Sequence, residues 1–149
     1  MRKKGYAVTL KIIGDGPQKK EIIHKVEKYK EFIDVFDYIK SKEDLLVEYR
    51  SSDIFIMPSF NETFGLVYIE ALSQGLPIIY SKGQGVDGYF EEGEVGFGCN
   101  PNDVNNIVNC AEKIINNYSV ISNNCVKSLS QFKWQNICSA YEKMYSTIK

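Results

Sequence analysis

Short apolar runs separated by longer stretches whose apolar residues recur at helical spacing confine this chain to a narrow set of folds, those in which helices join the strands of a parallel sheet. The runs are Tyr6 to Ile13, Ile33 to Phe36, Ile54 to Met57, Pro77 to Tyr80 and Gly96 to Cys99. Several are too uniformly apolar to alternate, as befits strands buried on both faces. Between them, Gln18 to Glu31 places Ile22, Ile23, Val26 and Tyr29 on one helical stripe, with Pro17 near its first turn. Lys42 to Arg50 reads as a second helix. Leu66 to Gln74 is a third, stopped by Gly75 in a left-handed cap and by Pro77, which opens the next strand. Asp103 is placed to cap a helix over Val104 to Asn117, and the tail from Trp134 to Ile148 repeats Ile137, Tyr141, Met144 and Tyr145. The expected fold class is α/β, a Rossmann-like parallel sheet with helices on both faces. With no internal repeat or long linker, a single domain over residues 1–149 is expected.

Bulk chemistry narrows the partners. Eighteen basic against nineteen acidic residues give a net charge of −1, which leaves no broad positive field for nucleic-acid phosphates. Cys99, Cys110, Cys125 and Cys138 form no Cys-x-x-Cys pair, and His24 is the only histidine, so neither a zinc site nor a disulfide scaffold is expected. His24 itself reads as a surface residue. Met1-Arg2-Lys3-Lys4 is basic, but Gly5 to Ile13 is short and carries Lys11, so it reads as neither signal peptide nor anchor, and the cytoplasm is the expected compartment.

The chemistry concentrates after the third strand. Glu62 and Glu70 flank Thr63-Phe64-Gly65-Leu66 at the start of the third helix. The first amides of a helix lack intrahelical partners and sit at the positive end of its dipole, so they attract phosphate. Gly65 removes side-chain bulk there. A helix beginning near Phe64 would put Glu70 about two turns in, on the order of 9 Å along the axis, so the two carboxylates would meet different parts of one ligand. A molecule joining a diphosphate to sugars, a nucleotide sugar, suits both features. For an arbitrary helix, Glu62 would merely complement the dipole and Glu70 would be solvated.

Two glycine-rich turns are open to two readings. Gly14-Asp15-Gly16-Pro17 leads from a strand into a helix, where Gly14 and Gly16 either let backbone approach a ligand or simply make the turn. Ser81 to Gly88 is either a loop folded tightly beside a ligand, through Gln84 and Gly85, or a flexible surface loop. The aromatics Tyr38, Phe60, Tyr89, Phe90 and Trp134 can stack on a base or sugar, although aromatics more often serve the core.

The run from Leu10 to Cys99 resembles the carboxy-terminal half of the retaining glycosyltransferases of family four, the group 1 glycosyltransferases of GT-B architecture. The resemblance rests on Ile12-Ile13-Gly14-Asp15-Gly16-Pro17, Asp34-Val35-Phe36-Asp37-Tyr38-Ile39, Asp53-Ile54-Phe55-Ile56-Met57-Pro58-Ser59, the glutamate pair of the E-x7-E signature, and Glu70-Ala71-Leu72 to Gly75-Leu76-Pro77-Ile78-Ile79. Phe132 to Tyr145 looks like the family's closing helix. The resemblance implies that Glu62 contacts donor-sugar hydroxyls, that Thr63 and the amides of Phe64, Gly65 and Leu66 hold sugar and distal phosphate, and that Glu70 binds the ribose. It also implies that Tyr38 and Ile39 lie along the base, that Gln84 and Gly85 line the same cleft, and that no metal or other cofactor is needed beyond the nucleotide diphosphate sugar as donor substrate.

The family pattern also includes an earlier strand and turn whose Arg and Lys clamp the diphosphate, and Arg2, Lys3 and Lys4 do not replace them. The acceptor-binding amino-terminal half, to which any membrane contact would belong, is absent too. Without the earlier strand, either Tyr6 to Ile13 pairs directly with Ile54 to Met57, as expected for a monomer, or an exposed apolar edge invites another chain. The implied function is hexosyl transfer from a nucleotide diphosphate sugar to a hydroxyl acceptor, with this chain as the donor half. The alternative is a catalytically silent binding domain that pairs with a separate acceptor half. A signalling receiver domain of similar layout is disfavoured, because Met57-Pro58-Ser59 offers no phosphoacceptor Asp.

Overall fold

In the computed structural model, which describes residues 1–147, the chain divides into two compact units, Met1–Glu48 and Tyr49–Lys149, each built on its own parallel sheet. The first unit pairs β1 (Leu10–Ile13) with β2 (Ile33–Phe36) in a register that sets Leu10 opposite Ile33 and Ile13 opposite Phe36. Between them runs α1 (Lys19–Val26), followed by a 3-10 turn over Glu27–Tyr29. The helix expected through Glu31 therefore ends early. Its last turn tightens to three-residue bonds, with the Lys30 amide on the Glu27 carbonyl and the Phe32 amide on that of Tyr29, and this reverses the chain into β2. The Arg2 guanidinium lies 4.3 Å from the centre of the Phe32 ring.

α2 (Lys42–Arg50) has the expected bounds, and the Ser41 hydroxyl caps it by accepting the Asp44 amide at 3.1 Å. The division between the units falls within this helix, just before Tyr49.

The second unit holds β3 (Phe55–Met57), β4 (Ile78–Ser81) and β5 (Gly96–Cys99), parallel and in that order. Every residue of β4 is buried, as a central strand with no alternation requires. Adding a Cβ at Gly96 would bring it within 1.8 Å of the Ile78 carbonyl oxygen, so the close approach of β5 to β4 depends on that glycine. Among the described residues β1 is paired with β2 in the first unit, and β3 with β4 in the second.

Four helices complete this unit: α3 (Leu66–Ser73), α4 (Val104–Asn116), α5 (Tyr118–Lys127) and α6 (Trp134–Thr147). Gly75 ends α3 with φ +76°, its amide on Leu72 O and the Leu76 amide on Ala71 O, which is the Schellman arrangement. Asp103 caps α4 by accepting the Asn105 and Asn106 amides at 2.9 and 3.0 Å. No pattern announced α5, because it buries only Ile121 and Cys125 while its other aliphatic residues, Val120 and Val126, are exposed. The core is made by Leu72, Ile78, Ile79, Val86, Val95, Ile114 and Ile121, all at most 2 % exposed. Ile148, expected in the last helix, lies outside the described residues. Among those residues no helix is long and apolar enough to cross a membrane.

Candidate functional site

The start of α3 is made by backbone rather than by a capping side chain. Gly65 stands at the N-cap with φ +79°, a conformation that costs an L side chain on the order of 1–2 kcal/mol, and its carbonyl accepts the Tyr68 amide at 2.9 Å. No side chain caps the helix, and the amides of Gly65 and Leu66 have no acceptor among the described residues. The helix begins at Leu66, where the expected span Leu66 to Gln74 puts it, and not near Phe64, the start that would set Glu70 two turns in, because the left-handed glycine interrupts the helical run. Glu70 therefore stands about one turn in, roughly 6 Å along the axis rather than two turns. The Phe64 amide, expected to face a ligand, donates to Oε1 of Glu62 at 3.3 Å. This is a short local loop of the kind acidic side chains close around their own backbone.

Glu62 is half-buried and held through its main chain. Its amide donates to Oε1 of Gln84 at 3.0 Å, and its carbonyl accepts the Gly85 amide at 3.0 Å. The loop after β4 is itself braced, with the Gly83 amide on Asp87 Oδ2 at 2.6 Å and the Gln84 amide on the Ser81 carbonyl at 3.2 Å. Gln84 and Gly85 thus gather around Glu62, with Gln84 acting on its backbone. Thr63 and Leu66 are exposed at the mouth of the turn.

Tyr68 organises this region, and sequence spacing did not single it out. Its ring fills the space that Gly65 and Gly85 leave open: a Cβ on Gly65 would lie 2.5 Å from the ring, and one on Gly85 would lie 3.0 Å from Glu62 Cγ and 3.4 Å from the ring. Its hydroxyl donates to the Met57 carbonyl at the end of β3. Burial, and then the Glu62 carboxylate, push its phenol up to about 12.

Glu70, half-buried, accepts the hydroxyl of Tyr49 at 3.3 Å on Oε2. Phe64 packs edge-on to Tyr89 at 5.2 Å and to Phe132 at 5.7 Å, which ties the turn to the loop after β4 and to the 3-10 segment Ser128–Phe132. Of the aromatics weighed for stacking, Phe90 is buried, whereas Phe60, Tyr89 and Trp134 are exposed.

The other expected residues belong to the first unit. Gly14 and Gly16 line a cavity of about 330 Å³ with Ile12, Ile13, Ile22 and Val35, and a Cβ at either glycine would meet nothing within 4 Å. Tyr38 is exposed and Ile39 half-buried, and neither lines that cavity.

Fold and site together define a Rossmann-like α/β protein of the kind found in GT-B glycosyltransferases. The family described as Glycosyl transferases group 1 matches residues 1–130, and the chain belongs to it. It is 39% identical over 100 residues to the sulfoquinovosyl transferase of Arabidopsis thaliana, a match that covers 64% of this chain and 19% of that protein. Sucrose-phosphate synthase from Thermosynechococcus elongatus has a similar structure, with a TM-score of 0.77 and 25% identity over 94% of this chain and 38% of that one. HepE of Anabaena, solved in complex with UDP-glucose, matches in fold with a TM-score of 0.76 and 22% identity over 95% of this chain and 41% of its own. The chain thus spans between about a fifth and two fifths of these three proteins.

Proposed function

We propose that this chain is the donor-nucleotide-sugar-binding part of a retaining glycosyltransferase that moves a hexosyl group from a nucleotide diphosphate sugar to a hydroxyl acceptor. The observation that carries the reading is the start of α3, where the amides of Gly65 and Leu66 are unpaired among the described residues at the positive end of the helix, with Glu62 before the turn and Glu70 about one turn into the helix. Amides so placed suit the distal phosphate, and the carboxylates suit hydroxyls of the sugar and of the ribose. Membership of the group 1 family supports this reading, as does the UDP-glucose held by the related fold of HepE.

In this scheme Glu62, clasped by Gln84 and Gly85, orients the donor sugar, and Glu70 holds the ribose. Transfer proceeds on the front face, with the departing phosphate beside the incoming hydroxyl. Charge on the leaving phosphate is met by the helix start and by basic side chains, without a metal. The acceptor-binding half lies outside these residues, in cis or in trans.

Steady-state kinetics of the complete enzyme test the assignment. Glu62→Ala is expected to lower kcat by about a hundredfold with little change in donor KM, and Glu70→Ala to raise donor KM by about tenfold with kcat nearly kept. Unchanged kinetics in both variants would contradict it.

A further inference from the structure

Tyr49 is 7 % exposed, and its ring is the first of a run of three. It meets Phe55 of β3 edge-on at 5.8 Å, and Phe55 meets Tyr68 of α3 edge-on at 5.7 Å. Packing of this kind fixes each ring within a narrow range of orientations. A phenol held so deeply needs a partner for its hydroxyl, and the one it finds is Oε2 of Glu70 at 3.3 Å. Burial, and then the neighbouring carboxylate, raise the phenol well above the ordinary tyrosine range, so it remains a protonated donor.

A carboxylate on a long side chain rotates freely unless something holds one oxygen. Here Oε2 is held, while Oε1 has no partner among the described residues. The hydroxyl is not required merely to tie α2 to α3, because the adjacent Arg50 Nε already donates to Gln74 Oε1 at 2.7 Å.

We propose that Tyr49 is a positioning residue for the donor site: its hydroxyl fixes the Glu70 carboxylate so that the remaining acceptor capacity meets the vicinal diol of the nucleotide ribose. Tyr49 acts through Glu70 and touches no ligand. The inference rests on the reading that Glu70 binds the ribose.

Tyr49→Phe keeps the ring and removes only the hydroxyl. The probes are UDP, ADP and GDP, using whichever binds the unaltered protein most tightly, together with its 2′,3′-dideoxy analogue, in calorimetric titrations. Tyr49→Phe is expected to weaken the ribonucleotide about fivefold, the scale of one hydrogen bond, and to leave the dideoxy analogue unchanged. In a Glu70→Ala background the same substitution is expected to change neither affinity. Equal weakening of both nucleotides, or a fivefold loss that persists without Glu70, would overturn the proposal and mark Tyr49 as a structural residue only. If Glu70→Ala weakens the ribonucleotide and Tyr49→Phe does not, the role of Tyr49 fails while that of Glu70 stands. If Glu70→Ala has no effect on either nucleotide, both fail.

Discussion

Gln84 holds Glu62 by its backbone: the Glu62 amide donates to the Gln84 carboxamide oxygen at 3.0 Å, while the next residue of the same loop, Gly85, donates its own amide to the Glu62 carbonyl. A residue in the loop after β4 therefore fixes the main chain from which the leading acidic side chain projects. Gln84→Ala is expected to cost about 1 kcal/mol of stability, the net worth of one part-buried hydrogen bond, and to lower turnover of the complete enzyme severalfold. Thermal unfolding and kcat measured on the same variant check both.

Gly65 and Gly83 share a left-handed φ but not their surroundings. A Cβ at Gly65 meets the Tyr68 ring at 2.5 Å, whereas one at Gly83 meets nothing within 4 Å. Gly83→Ala is expected to cost only the conformational term of about 1 kcal/mol, and Gly65→Ala about 3 kcal/mol or more, because the ring must also move. Denaturant unfolding of the two variants gives the comparison, and equal losses would contradict the packing described around α3.

The Ser81 hydroxyl is buried and has no hydrogen-bond partner among the described residues. Replacing an unsatisfied buried hydroxyl by a methyl removes a desolvation cost, so Ser81→Ala is expected to raise stability by about 1 kcal/mol. A fall in the denaturation midpoint would show that the hydroxyl is satisfied after all.

Burial pushes the phenols of Tyr68 and Tyr80 up to about 12 from an ordinary value of 10.0. An acid whose folded value lies above its unfolded value binds its proton more tightly when folded, so the stability it contributes is intact below pH 10 and is lost as pH climbs toward 12. The protein is expected to unfold in that alkaline window, with tyrosinate absorbance rising together with loss of helical circular dichroism. Tyr68→Phe is expected to make the window shallower.

The sequence made the punctuation legible wherever one residue decides the backbone locally. Gly75 and Pro77 bound α3, Asp103 caps α4, and the strand cores at Ile33–Phe36 and Gly96–Cys99 lie where apolar runs put them. Features set by distant contacts were not legible. Tyr49 and Glu70 lie 21 positions apart, and no periodicity links them. Nor does any spacing reveal that Tyr68 fills the volume left by Gly65 and Gly85. The start of α3 at Leu66 was legible, but the left-handed φ of Gly65 before it was not, because a glycine in a sequence does not state which conformation it will take.

The central claim is that the α3 start and its two glutamates receive a nucleotide sugar. Isothermal titration calorimetry with UDP-, ADP- and GDP-glucose tests it most directly. Saturable one-to-one binding of at least one of them is expected, weakened about tenfold by Glu70→Ala. Absence of saturable binding to all three, or binding that survives unchanged when Glu62 and Glu70 are both replaced by alanine, would contradict it.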